Sequence, residues 1–140
     1  MGSDDLNVEV KESATTLSRD VWETVSAFAN TAGGIIVLGV SERAGFVPVE
    51  NFETEKVLNQ FVAGMGDAGG RGKLANPPKY TIERVELQGT VVLVITIEEL
   101  DPSSKPCYVI ERGAQGGSYK RIDDKDVPLS STEVLSLSSY

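Results

Sequence analysis

Glu9 and Lys11 place a carboxylate and an ammonium two residues apart in the short alternating run Val8–Lys11. On a strand, residues two apart share a face, so the two groups would stand together, suited to attend a metal ion and a scissile phosphate. Asp4 upstream and Glu42 downstream offer further oxygen ligands for a hard cation such as magnesium or manganese. The chemistry this set would support is metal-dependent phosphodiester cleavage, with Glu9 and Glu42 as metal ligands and Lys11 steadying the developing charge. An exposed strand carrying one acid and one base explains the same spacing and is the commoner outcome.

A second set is basic. Arg71 and Lys73 flank Gly72 in the glycine-dense stretch from Gly64 to Asn76, and Lys120–Arg121 follows Tyr119. Side chains of this type contact phosphate backbones, although loop solvation and a charged edge strand account for them equally simply. Two nucleotide motifs fail on context. Gly64–Gly69 matches GxGxxG, but it follows a helical pattern and leads to Pro77–Pro78, whereas a dinucleotide fingerprint joins a strand to a helix. Around Gly72–Lys73, Asp67 stands where a phosphate loop needs its first glycine and Leu74 replaces the Ser or Thr. There is thus no ATP motif, and nucleic-acid binding would need no cofactor.

Other chemistry is excluded by composition. The chain has no histidine, which removes Ser–His and Cys–His catalysis and histidine-containing zinc sites. Its single cysteine, Cys107, lies in the apolar context Pro106–Ile110 and suits a buried strand. The net charge of −8 argues against a general nucleic-acid clamp. The imbalance is uneven, with four basic and ten acidic residues in 1–60 against nine and eleven in 61–140, which leaves room for a local positive patch.

The elements that must position these groups follow from periodicity. Leu17, Val21, Val25, Phe28 and Ala32 mark one face of a helix over residues 18–32, with Ser18 as a candidate N-cap and Asn30 and Gly33 suited to a left-handed end. Gly34–Val40 follows as an unalternating apolar strand, expected to be covered on both faces. A hairpin through Ser41–Gly45, a helix from Glu53 to Met65, a long mobile loop to Asn76, and a hairpin of Tyr80–Leu87 with Val91–Ile97 come next. Two short strands, Cys107–Glu111 and Ser118–Ile122, precede a helix opening at Ser130 or Ser131 with Glu133 behind it. This order gives an α/β domain of the α+β type, a mixed, largely antiparallel sheet with two or three packed helices. Residues 1–140 make one domain, with 1–3 a candidate tag remnant. No apolar run approaches the roughly 18 residues of a membrane span, and the start MGSDD lacks the features of a signal peptide, so a cytoplasmic protein without membrane association is expected.

The combination of VEVKE, AFANTAGGIIVLGV, Pro77–Pro78 before a hairpin, and YKRI near the end resembles the Schlafen AlbA-like domain, formerly described as a divergent AAA domain. The resemblance covers about Val8 to Leu137. It implies a compact α/β domain, generally described as DNA-binding, at the N-terminal side of bacterial transcriptional regulators that carry further domains. Partners would be nucleic acid, DNA favoured over RNA, with homodimer formation left open. In the eukaryotic relatives a related core cleaves RNA with a carboxylate cluster, which on this chain would be Asp4, Glu9 with Lys11, and Glu42. The upstream acid here is Asp rather than Glu, and Ser41–Glu42 stands where the family commonly has Asp. Three readings therefore remain: a nucleic-acid-binding module using Arg71, Lys73, Lys120 and Arg121, a metal-dependent nuclease, and an interaction or sensor domain.

Overall fold

In the computed structural model, which describes residues 7–139, the expected first helix spans Val21–Asn30 (α1). Val21, Val25 and Phe28 are fully buried, as their spacing requires; Ala27 and Ala29 are buried as well, so the helix is enclosed on more than one face, while Ala32 lies beyond its end and is exposed. Its two ends differ from expectation. The N-cap is Asp20, which makes no side-chain cap hydrogen bond, and the Ser18 hydroxyl pairs instead with that of Ser13 at 3.0 Å. Asn30 stays helical, and the left-handed turn falls at Gly33, where φ is +72° and a Cβ would lie 2.7 Å from the Ile97 carbonyl oxygen. At Gly34 a Cβ would meet the Phe28 ring at 2.7 Å, so the chain can fold straight back over α1 only without side chains here.

The returning strand, β2 (Gly34–Leu38), lies inside a four-stranded sheet. The order is β1 (Val8–Lys11), β2, β7 (Thr90–Ile97), β6 (Tyr80–Leu87), with β1 parallel to β2 and the other pairs antiparallel. The architecture is the mixed, largely antiparallel α+β arrangement expected. Ile36 and Leu38 join Leu93, Ile95 and Ile97 on the face that meets α1 and α2 (Thr54–Gly64), whose Val57 and Phe61 are fully buried. The opposite face is only half covered: Ile35 and Val37 remain partly exposed, as do Val10 and Val94 beside Val37. An apolar run thus marks an interior strand by its pairing, but here it does not mark cover on both sides.

The small elements are built by local rules. β3 (Val40–Ser41) and β4 (Val47–Pro48) close the short hairpin, and Gln88 and Gly89, both at positive φ, join β6 to β7. α4 (Ser131–Ser138) opens with a complete capping box, Glu133 N–H to Ser130 Oγ at 3.1 Å and Ser130 N–H to Glu133 Oε1 at 2.8 Å. The one-turn helix α3 (Ala114–Gly117) and a hairpin of β9 (Tyr119–Ile122) and β10 (Lys125–Pro128) precede it.

The segment expected as a mobile loop is instead stitched down at its far end. Lys73 N–H donates to the Gly64 carbonyl at 2.6 Å, and Gly72 packs so closely that a Cβ would lie 2.6 Å from that same oxygen. Leu74–Ala75 (β5) pairs antiparallel with Tyr108–Val109 (β8), and Ile110 N–H reaches the Lys73 carbonyl at 3.0 Å. β8 is in turn held on α1 through polar groups. Asn30 Nδ2 donates to the carbonyls of Cys107 and Tyr119, both at 2.9 Å, while its Oδ1 accepts from Cys107 N–H at 2.8 Å. One turn earlier, Ser26 Oγ donates to the Cys107 carbonyl at 2.7 Å and accepts from Tyr119 N–H at 3.0 Å. Backbone groups that no strand pairs are satisfied in this way by the helix side chains.

Two measurements check this account. Asn30→Ala strands buried backbone groups and should cost on the order of 2–4 kcal/mol in denaturant unfolding, whereas an ordinary helix-end residue would be nearly silent. Cys107 is fully buried, and burial pushes its thiol up to about 12. At pH 8 it should therefore stay neutral and unreactive toward a disulfide reagent until denaturant is added; prompt modification of the native protein would contradict its placement.

Candidate nucleic-acid interface

Strand β1 does bring Glu9 and Lys11 together, with Lys11 Nζ 3.8 Å from Glu9 Oε2 and 3.2 Å from Asp20 Oδ1. The rest of the cluster comes from distant segments. Arg121 Nη2 donates to Glu9 Oε1 at 2.7 Å, Arg121 Nη1 donates to Asp126 Oδ1 at 2.8 Å, and Thr24 Oγ1 donates to Asp126 Oδ2 at 2.6 Å. The Arg121 side chain is 2% exposed, with its guanidinium carbon 5.1 Å from the centre of the Phe28 ring and its buried Nε without a partner among the described residues. Burial works against its charge, yet the hydrogen bonds it donates to Glu9 and Asp126 outweigh that and leave its pKa raised.

This geometry suits an internal ion network better than a metal centre. Each Glu9 oxygen already faces a cation, so a divalent ion there would have to displace Arg121 or Lys11. Glu42 is exposed in the turn after β3 and is not among the partners of Glu9 or Lys11. Asp4 lies outside the described residues. Among the described residues, no group of three or more His, Cys, Asp or Glu side chains is arranged to hold a metal ion.

The four basic residues singled out in the sequence divide. Arg121 faces inward, and Lys120 Nζ is tied to Glu133 Oε2 at 2.6 Å, a bond that holds the Glu133 carboxyl below its usual range and fastens α4 to β9. Arg71 and Lys73 are exposed and line one cleft of about 370 Å³. Arg19 and Arg112, which the sequence did not single out, join them there, beside Trp22, Val109, Ile110 and the carboxylates of Glu23 and Glu111. Four cations against two acids make the cleft +2 on a chain of −8. Arg112 is oriented by Glu23 Oε2 at 2.9 Å and by the Tyr119 hydroxyl, and its pKa is raised chiefly by the Glu23 hydrogen bond. It remains 41% exposed.

Three segments build these walls. The first turn of α1 carries Trp22 and Glu23, the stitched loop carries Arg71 and Lys73, and the turn after β8 carries Arg112. The ladder of β5 with β8 and the polar bonds from Ser26 and Asn30 set the distance between them. The contrast between the two basic pairs is measurable. Arg121→Ala leaves Glu9 and Asp126 with an unmatched charge and should destabilise the fold by about 3–5 kcal/mol, whereas Arg71→Ala should leave the unfolding midpoint nearly unchanged; equal effects would refute the assignment of one to the interior and the other to the surface.

Comparison with solved structures places the same fold elsewhere. The N-terminal domain of a protein from Nitrosomonas europaea described as related to the ATP-dependent DNA helicase RecG, solved by solution NMR, matches with a TM-score of 0.61 and 26% identity, over 89% of this chain and 85% of that one. A protein from Corynebacterium diphtheriae matches in fold with a TM-score of 0.57 and 12% identity, over 96% of this chain, which spans 24% of that longer protein. A search of curated proteins finds no match. The family model described as Schlafen, AlbA_2 matches residues 4–130, nearly the whole chain, and the protein belongs to this Schlafen AlbA_2 family.

Proposed function

We propose that this domain is a nucleic-acid-binding module, with DNA the favoured ligand and the cleft of Arg19, Arg71, Lys73 and Arg112 as its interface. The observation that carries the reading is convergence: cations from three segments far apart in sequence meet in one concavity of a chain that is otherwise strongly acidic. Phosphate contacts need such a local field more than a basic total. Family membership and the helicase-related neighbour support the same direction. Within this proposal the domain serves a bacterial transcriptional regulator in the cytoplasm, as its N-terminal module with further domains after it, and binds without a cofactor. Among the described residues no helix is long and apolar enough to cross a membrane.

Binding should weaken as salt rises, and the double variant R71A/K73A should lower the slope of log affinity against log salt by roughly 1.4 to 1.8, counting 0.7 to 0.9 for each lost phosphate contact. Lys120→Ala should leave that slope unchanged, since Lys120 is tied to Glu133. Fluorescence anisotropy of labelled DNA at several salt concentrations reads both, and an affinity indifferent to salt would remove the phosphate-contact reading.

A further inference from the structure

The cleft differs from a duplex-binding surface in size, in lining and in what surrounds it. Its volume of about 370 Å³ sits near the lower end of small-ligand sites, roughly 300–1,000 Å³. A duplex presents two phosphate rows across a major groove about 12 Å wide and must lie along an extended surface. The rest of the chain supplies no excess of cations for this: with +2 inside the cleft and −8 overall, all other residues together carry −10. A second phosphate row would need a second group of cations.

The lining is mixed in a way that matches a nucleotide. Cations stand beside an apolar floor of Trp22, Val109 and Ile110; Trp22 and Val109 are mostly buried, with Trp22 stacked on Phe61 at 5.4 Å, so a ligand reaches chiefly the half-buried Ile110 and the small part of Trp22 left open. A base can use such a floor only when it is unpaired and unstacked, as in single strands. The first turn of α1 adds a further feature for the phosphate. Asp20 makes no cap hydrogen bond and turns its carboxylate to Lys11, so the amides of Trp22 and Glu23, which a helix leaves without internal partners, lack a side-chain cap from it.

Resting on the nucleic-acid reading above, we infer that the cleft seats a single unpaired nucleotide, phosphate toward Arg71, Lys73 and Arg19 and base against the apolar floor, so that the ligand is a single strand. The chemistry recognised, a nucleoside phosphate unit, occurs both in a strand and in a free nucleotide, and the test separates the two.

Trp22 is the sole tryptophan of the chain and lines the cleft, so its emission reports occupancy of this site. Titrations with a short single-stranded DNA, a blunt duplex of the same sequence and a nucleoside monophosphate, at one salt concentration, give the comparison. The single strand should bind at least roughly tenfold tighter than the duplex and the monophosphate. Its emission change should vanish in R71A/K73A, whose retained circular dichroism shows an intact fold. Duplex binding as tight as the strand overturns the inference and leaves the binding-module reading standing. A monophosphate as tight as the strand assigns the cleft to free nucleotides and overturns the strand. Single-strand binding untouched by R71A/K73A places the site elsewhere, and failure of every nucleic acid to bind removes both readings.

Discussion

The carboxamide of Asn30 closes three hydrogen bonds to backbone groups of Cys107 and Tyr119, and Ser26 one turn away closes two more. Residues 107 and 119 bracket β8 and two single helical turns, elements too short to pair these backbone groups, so the side chains supply what a strand neighbour would otherwise supply. α1 is therefore a two-sided element. Its apolar side packs on the sheet, and its polar side holds the carboxyl-terminal third of the chain. Without that second function β8 would have no fixed height above α1, β5 would have no partner at a defined place, and Arg71, Lys73 and Arg112 would not share a cleft.

Charge is distributed by a similar division of labour. Glu9, Lys11, Asp20, Asp126 and Arg121 form a closed network at the junction of β1, α1 and the β9–β10 hairpin, where each charge answers another. Burying Arg121 is costly, and the two carboxylates with the Phe28 ring offset that cost. The cleft cations are left unbalanced by comparison; among the described residues only Arg112 of the four is engaged by an acid. The same residue types thus do opposite work, one set locking elements together and the other holding an open positive field.

Much of the scaffold was legible because its signals are local. The period of α1, the apolar run of β2, the Gln88–Gly89 turn and the Ser130–Glu133 box each depend on neighbours in sequence. The cleft was legible only in part. Arg71 and Lys73 stood out as cations in a glycine-rich loop, but nothing near Arg19 or Arg112 announces that they meet them, because the meeting is made by a two-residue ladder between segments more than thirty positions apart. Arg121 misled for a related reason: its neighbour Lys120 suggested a surface pair, while strand alternation turns one side chain out and the other in. Asn30 was recognised as special for the wrong reason, as a turn-former, when its side-chain amide is what matters.

The cleft side chains all belong to segments outside the four-stranded sheet: the start of α1 with Arg19 just before it, a connecting loop, and β8 with the one-turn helix after it. None of the four cations contributes to the buried apolar cluster. Such an arrangement separates architecture from recognition, so relatives can exchange these positions and acquire other ligand preferences while the glycine reversal, the amide staple and the internal ion network stay as they are.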